Sequence, residues 1–181
     1  MGKITYEMQS AFLSGRYILD GPLIINEILS WVKRMGKELF LFKIYFEKAY
    51  DNVHWEFLLS VMHKMNFPEV WCRWIKGVLS LTRSSIFVNG SPTFEFGCGK
   101  GIRQRDPISP FLFIIVMKAF SCMIRKENDS GSFDGVGLPN DGPILSHLLY
   151  ADDAKVMVEW SKFNFQALKR ILRIFHLCYG L

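Results

Sequence analysis

Tyr150-Ala151-Asp152-Asp153 commits this chain to a sharp reversal. The four residues stand between an apolar run from Ile144 to Leu149, broken by Ser146 and His147, and a second run around Val156-Met157-Val158. Apolar runs on both sides of a short polar tip read as strand, tight turn, strand. Adjacent carboxylates repel each other and are poor strand formers, so they belong at the tip and need a compensating cation. A divalent metal that also holds phosphate oxygens is one such cation. The plainer alternative is a surface turn in which both aspartates are simply solvated. The apolar flanks favour the metal, because a hairpin that buries both strands still spends its tip on two charges.

The rest of the chain alternates helix and strand signals. Leu23 to Arg34 carries Leu23, Ile24, Ile28, Leu29 and Val32 at helical spacing. Leu39 to Phe46 follows Gly36 and reads as a buried strand. Asp51 or Asn52 caps a helix running to about Met65, and Pro68 opens another through Leu79. Ser85 to Val88 and Thr93 to Phe96 flank Asn89-Gly90, a strong hairpin signal. A Gly-rich basic loop, Gly97 to Asp106, leads into a long apolar helix from Pro107 to Arg125, which Pro110 interrupts near its start. Asn128 to Gly142 reads as loop, and the last helix runs from about Asn164 to His176. This order predicts an α+β fold, a mainly antiparallel sheet with helices packed on one face, in a single unit over 1–181.

Composition narrows the function classes. With 50% hydrophobic and 15% aromatic residues the chain is globular rather than disordered. A net charge of +5 suits polyanionic partners, or serves solubility alone. Cys72, Cys98, Cys122 and Cys178 show no metal-binding spacing and no disulfide framework, which predicts reduced thiols, no disulfide partner and an intracellular protein. Phe111 to Met117 is far shorter than the roughly 20 apolar residues of a membrane helix, so the chain is expected to be soluble.

Asp152 and Asp153 need a third acid if they are to hold two metals, since one turn offers too few ligands. The candidates follow the buried strand. Glu47 and Asp51 are those candidates, but Asp51 is better explained as a helix cap, and Glu47 beside Lys48 also reads as an exposed pair. The segment Gly101-Ile102-Arg103-Gln104-Arg105 is basic and can offer backbone amides to phosphate, or stand as a structural loop with solvated arginines.

At these residues the chain resembles a known family. Tyr-Ala-Asp-Asp after His147-Leu148-Leu149 is similar to the catalytic hairpin of reverse transcriptases. Gly101 to Pro110 resembles the family's G-L-R-Q-G-D-P-L-S-P segment, and Phe42 to Asp51 its F-K-[IVL]-D-F-x-K-A-[FY]-D segment. Gln9 to Arg16 with Ile18-Leu19-Asp20 resembles its fingers motif. The four in this order are similar to LINE-type, non-LTR retrotransposons, with wording closest to plant copies.

The resemblance implies a right-hand polymerase palm with partial fingers. It implies RNA-templated DNA synthesis with two Mg2+ ions, an RNA template, a DNA primer and deoxynucleoside triphosphates. Carried over by position, Asp152 is a metal ligand and Asp153 the weaker one beside it. Tyr50 fits the bulky residue that rejects a ribose 2′ hydroxyl, Arg16 a triphosphate contact, and Gln104 the segment that packs on template and nucleotide. Lys43, Arg103 and Arg105 add attraction for the nucleic-acid backbone, and Tyr150 and Ala151 shape the primer end.

The departures from the family pattern matter as much. Its first catalytic aspartate belongs at position 45, where this chain has Tyr45. A phenol with a pKa near ~10 cannot supply a bridging carboxylate, and Glu47 stands ~6–7 Å further along the strand. Arg105 replaces a glycine that would permit a positive φ or a close backbone approach. Lys118 stands where these elements carry an acid, and Lys155 follows the acid turn, costly if buried or else paired with Asp153. The family continues beyond the end of this chain into the rest of the palm and the thumb, so a fragment lacking both is expected. These features together predict an inactive copy, a pseudoenzyme. The alternatives are a non-enzymatic nucleic-acid-binding remnant and an unexpressed relic.

Overall fold

The computed structural model describes residues 17, 19–138, 142 and 144–179. Along them run helix α1 (Asp20–Met35), strand β1 (Leu39–Tyr45), helices α2 (Trp55–Lys64) and α3 (Glu69–Ser80), and short strands β2 (Arg83–Ser84), β3 (Phe87–Val88), β4 (Ser91–Pro92) and β5 (Phe96–Gly97). Helix α4 (Ser109–Asp129), strands β6 (Val136–Gly137), β7 (Ile144–Leu145), β8 (His147–Tyr150) and β9 (Asp153–Glu159), and helix α5 (Lys162–Tyr179) follow. The architecture is mixed α and β with antiparallel pairing throughout. The chain divides into two compact units, Met1–Glu47 with Met117–Leu177, and Lys48–Val116 with Cys178–Leu181.

The first unit is built on a three-stranded sheet in the order β1-β9-β8. The central strand β9 buries Ala154, Val156, Met157 and Val158, because both of its faces are covered. On one face, Ile25, Ile28 and Val32 of α1, spaced at i, i+3 and i+7, pack with Val136, Leu145 and Met157. On the other, Phe46 meets Phe120 of α4 and Phe175 of α5 edge-on, at ring separations of 5.8 and 5.7 Å. Phe40 meets Phe165 of α5 in the same way. Helices therefore cover both faces, not one. The continuous apolar run of β9 is compatible with either arrangement, and only the amphipathic stripe of α1 requires the second cover.

Several polar groups buried in this unit are satisfied by hydrogen bonds within it. Helix α1 ends at Gly36 with φ 62°, a left-handed stop in which Lys37 N–H returns to Val32 O at 3.2 Å. Buried Asn164 accepts from Asp134 N–H and donates to Glu159 O, tying α5 to β9. His147 is fully buried, with Nε2 2.7 Å from Ser121 Oγ and Nδ1 2.9 Å from Ser146 Oγ. Burial, followed by the positive charges of Arg125 and Lys118, pushes its pKa down to about 4, so the ring is neutral at pH 7. Within the stretch expected as loop, 128–142, Val136–Gly137 pairs with Ile144–Leu145. A two-residue strand is too short to show a period.

In the second unit Leu58, Val61 and Met62 of α2 and Cys72, Ile75 and Leu79 of α3 are buried. Helix α2 starts at Trp55, with His54 at the N-cap and no side-chain capping bond. The expected cap from Asp51 or Asn52 is thus corrected: both sit in the turn before it. Asn89 and Gly90 take φ of 51° and 83°, the pair of left-handed residues a two-residue hairpin needs, and they join β3 to β4. Strand β5 pairs with β2 instead of extending that hairpin. Pro110 sits at the second position of α4, where its missing N–H has no helical partner to lose, so the helix is not interrupted. The four cysteines are free, and among the described residues no helix is long and apolar enough to cross a membrane.

Candidate functional site

Strand pairing assembles the acid hairpin. Tyr150 and Asp153 face each other across the two-residue loop Ala151-Asp152. Ala151 takes φ 51°, the left-handed turn that suits twisted strands, at a steric cost glycine would not bear. On the other side of β9, Asp153 stands directly opposite Tyr45, the last residue of β1. Since side chains alternate, Tyr45, Asp153 and Tyr150 form a row on one face, with Lys43, Lys155 and Leu148 in the next.

Like charges directly opposite each other destabilise a sheet, and Lys43 faces Lys155. Lys43 instead leans along the diagonal. Its Nζ lies 3.4 Å from Asp153 Oδ1 and 5.7 Å from the centroid of the Tyr45 ring. Asp153 Oδ1 is occluded from solvent and accepts no hydrogen bond, so the contact is electrostatic. On sequence, pairing with Asp153 is one of two alternatives for Lys155; among the described residues the ion pair of Asp153 is with Lys43. Lys155 sits two residues further along the same strand, whereas Lys43 reaches across.

This arrangement does not fit two divalent cations. Tyr45 is 73% exposed and offers a neutral phenol where a bridging carboxylate is required. An ammonium group stands beside Asp153. Among the described residues no three His, Cys, Asp or Glu side chains converge as metal ligands.

The other described candidates lie in the second unit, where the basic loop is clamped rather than free. Gly101 N–H donates to Val53 O and Ile102 N–H to Tyr50 O, both at 2.8 Å. The indole of Trp55 donates to Gly101 O at 2.7 Å. Gln104 Nε2 reaches both carboxylate oxygens of Asp51, at 3.3 and 3.4 Å. Lys100 donates to Asn52. Asp51, expected as a cap, is therefore an anchor for this loop. Tyr50 stacks on Phe113 with centroids 5.0 Å apart and planes at 16°. An open concavity beside the loop is lined by Asp51, Arg83, Ser84, Lys100, Arg103 and Gln104, three cations against one acid. Arg16 lies outside the described residues.

Arg105 is exposed at φ 66°, the left-handed conformation that a glycine would take without strain. Arg105→Gly should therefore raise the stability of the second unit by about 0.5–1 kcal/mol, the relief of strain exceeding the added freedom of the unfolded chain. A rise in the urea midpoint with unchanged slope is the expected result; a fall would refute it.

Two features escaped the sequence reading in different ways. The Lys43–Asp153 diagonal depends on the register of β1 against β9, which no local pattern fixes. Trp55 as a clamp on Gly101 had no signal, since a tryptophan early in an amphipathic helix reads as core.

The folded chain is thus mixed α and β, and it carries an acid-tipped hairpin laid against a seven-residue strand. Residues 3–178 match the profile of the family described as Reverse transcriptase (RNA-dependent DNA polymerase). The chain belongs to that family, whose members generally use divalent metal ions. It is similar to an uncharacterized protein of transposon TX1 from Xenopus laevis, 26% identical over 161 residues, 88% of this chain and 12% of that protein. It is similar to the Pol polyprotein of the type-1 retrotransposable element R2 from Popillia japonica, 26% identical over 136 residues, 75% of this chain and 18% of that protein. An uncharacterized mitochondrial protein of Arabidopsis thaliana is 38% identical over 66 residues, 36% of this chain and 54% of that protein. The chain spans only 12–54% of the length of these relatives.

Proposed function

We propose that this chain is a fingers-and-palm portion of the reverse transcriptase domain of a non-LTR retrotransposon, and that it does not extend primers. A single domain spread over both units is supported by the family match across residues 3–178. The retrotransposon source is supported by the TX1 and R2 relatives, and a plant-type element by the Arabidopsis stretch. By this reading the ancestral substrates are an RNA template, a DNA primer and deoxynucleoside triphosphates, inside the cell. Tyr50, Gln104 and Arg16 are the residues proposed to meet the nucleotide. Lys43, Arg103, Arg105, Tyr150 and Ala151 are proposed to meet the strands. Asp152 and Asp153 are proposed as remnants of the ancestral Mg2+ ligands.

The observation that carries the loss of activity is Tyr45, opposite Asp153 in a register where the mechanism needs a third carboxylate. In a homopolymer primer-extension assay with Mg2+ or Mn2+, incorporation is expected at background. Steady incorporation that Asp152→Ala abolishes would overturn the reading. A nucleic-acid-binding remnant is the second reading, favoured by the basic concavity around Arg83, Lys100 and Arg103. Binding that weakens steeply with added salt is its signature, and no binding near physiological salt would sink it.

A further inference from the structure

We propose that Lys43 is a built-in counter-cation, a positioning residue whose ammonium holds the Asp153 carboxylate and makes the acid hairpin independent of divalent metal. The inference rests on the reading that the hairpin is a former metal site. Its test reads cation binding and not primer extension, so the two can fail separately.

Three observations converge on Lys43. The Lys43 ammonium lies 3.4 Å from Asp153 Oδ1, close enough for a direct ion pair. With Lys43 in place that oxygen is shut off from solvent and accepts no hydrogen bond, which leaves the ammonium as its electrostatic partner. The face of the Tyr45 ring lies 5.7 Å from the same ammonium and supplies a second, weaker electrostatic hold. Most surface ion pairs add little, because both partners keep their water. Here one oxygen is shut off from water with the ammonium in place, so the cation stands in for solvent.

The consequence concerns metal directly. A divalent ion approaching Asp152 and Asp153 meets a pair of acids already half neutralised and an ammonium that repels it. Removing that charge should make cation binding tighter even though Tyr45 is still in place.

The experiment is Mn2+ titration of the whole chain at neutral pH and low salt, read by loss of the free-ion paramagnetic resonance signal. Thermal midpoints in Mg2+ and in chelator are measured in parallel. The parent should bind Mn2+ weakly and show the same midpoint in both conditions. Lys43→Met should bind about tenfold more tightly, the effect of deleting one nearby charge. Adding Asp153→Asn to Lys43→Met should return binding to the parent level. Lys43→Arg, which keeps the charge, should behave as the parent does and serves as the folded comparison if Lys43→Met unfolds. The proposal is overturned if the parent binds Mn2+ as tightly as Lys43→Met. It is equally overturned if Lys43→Arg matches Lys43→Met, or if Mg2+ raises the parent midpoint saturably and Asp153→Asn abolishes the rise.

Discussion

Gly101→Ala should destabilise the second unit by about 2–4 kcal/mol and free the loop it anchors. Two costs combine. At φ 88° an L-residue is strained by roughly 1–2 kcal/mol. A Cβ there would also meet Asp51 O at 2.8 Å, and backbone cannot step aside as a flexible side chain can. Relief requires the strand of chain around Gly101 to move away from the turn at Tyr50–Val53. That movement breaks the bonds from Gly101 to Val53, from Ile102 to Tyr50 and from Trp55 to Gly101. Urea unfolding measures the first effect. Trypsin measures the second, since Lys100, Arg103 and Arg105 lie within the clamped segment and should be cut faster once it lifts. Gly99→Ala is the internal comparison: a Cβ there meets nothing within 4 Å, so stability should hardly change. Equal effects at both glycines would show that the clamp does not depend on the close approach.

Acidification should loosen the first unit through His147. The folded pKa of about 4 lies below the ordinary value of 6.5, so between these limits the unfolded chain holds a proton that the folded chain refuses. The stability this contributes is complete above pH 6.5 and is lost as pH falls towards 4. By pH 4.5 the loss should reach about 2.5 kcal/mol, from one group whose charged form is excluded by burial. Hydrogen exchange of the β8 and β9 amides at pH 7, 5.5 and 4.5, corrected for the intrinsic pH dependence of exchange, measures it. His147→Gln cannot titrate in this window, so its stability should be lower at pH 7 and nearly flat down to pH 5. If the parent is also flat there, His147 is being protonated without opening the core, and the low pKa is wrong.

How much of this was legible beforehand varies with the range of the interaction. The hairpin at Asp152-Asp153 and the Asn89-Gly90 turn rest on local pattern and formed where expected. The strand from Leu39 formed there too, but it is not the buried strand expected, since of its seven residues only Ile44 is buried. Asp51 was misjudged because an aspartate shortly before a helix looks like a cap, while its partner Gln104 is 53 residues away. Arg105 shows the opposite case. A glycine expected at that place carries a conformational demand, and the backbone keeps φ 66° even though the glycine is gone. The two-sided cover of the sheet and the Lys43 diagonal depend on tertiary register, and neither leaves a periodic trace.

Strand β1 has one further consequence. Among the described residues it pairs only with β9, so within them it is an edge strand. Its sequence, Leu39-Phe40-Leu41-Phe42-Lys43-Ile44-Tyr45, is the kind of short apolar segment that stacks into fibrils when nothing interrupts it. Lys43 is the sole charge in that run, and a like charge stacked every ~4.8 Å along a fibril is strongly resisted. The lysine that steadies Asp153 therefore also acts as a gatekeeper against self-assembly. Lys43→Met should shorten the lag of fibril formation at concentrations where Lys43→Arg stays dispersed.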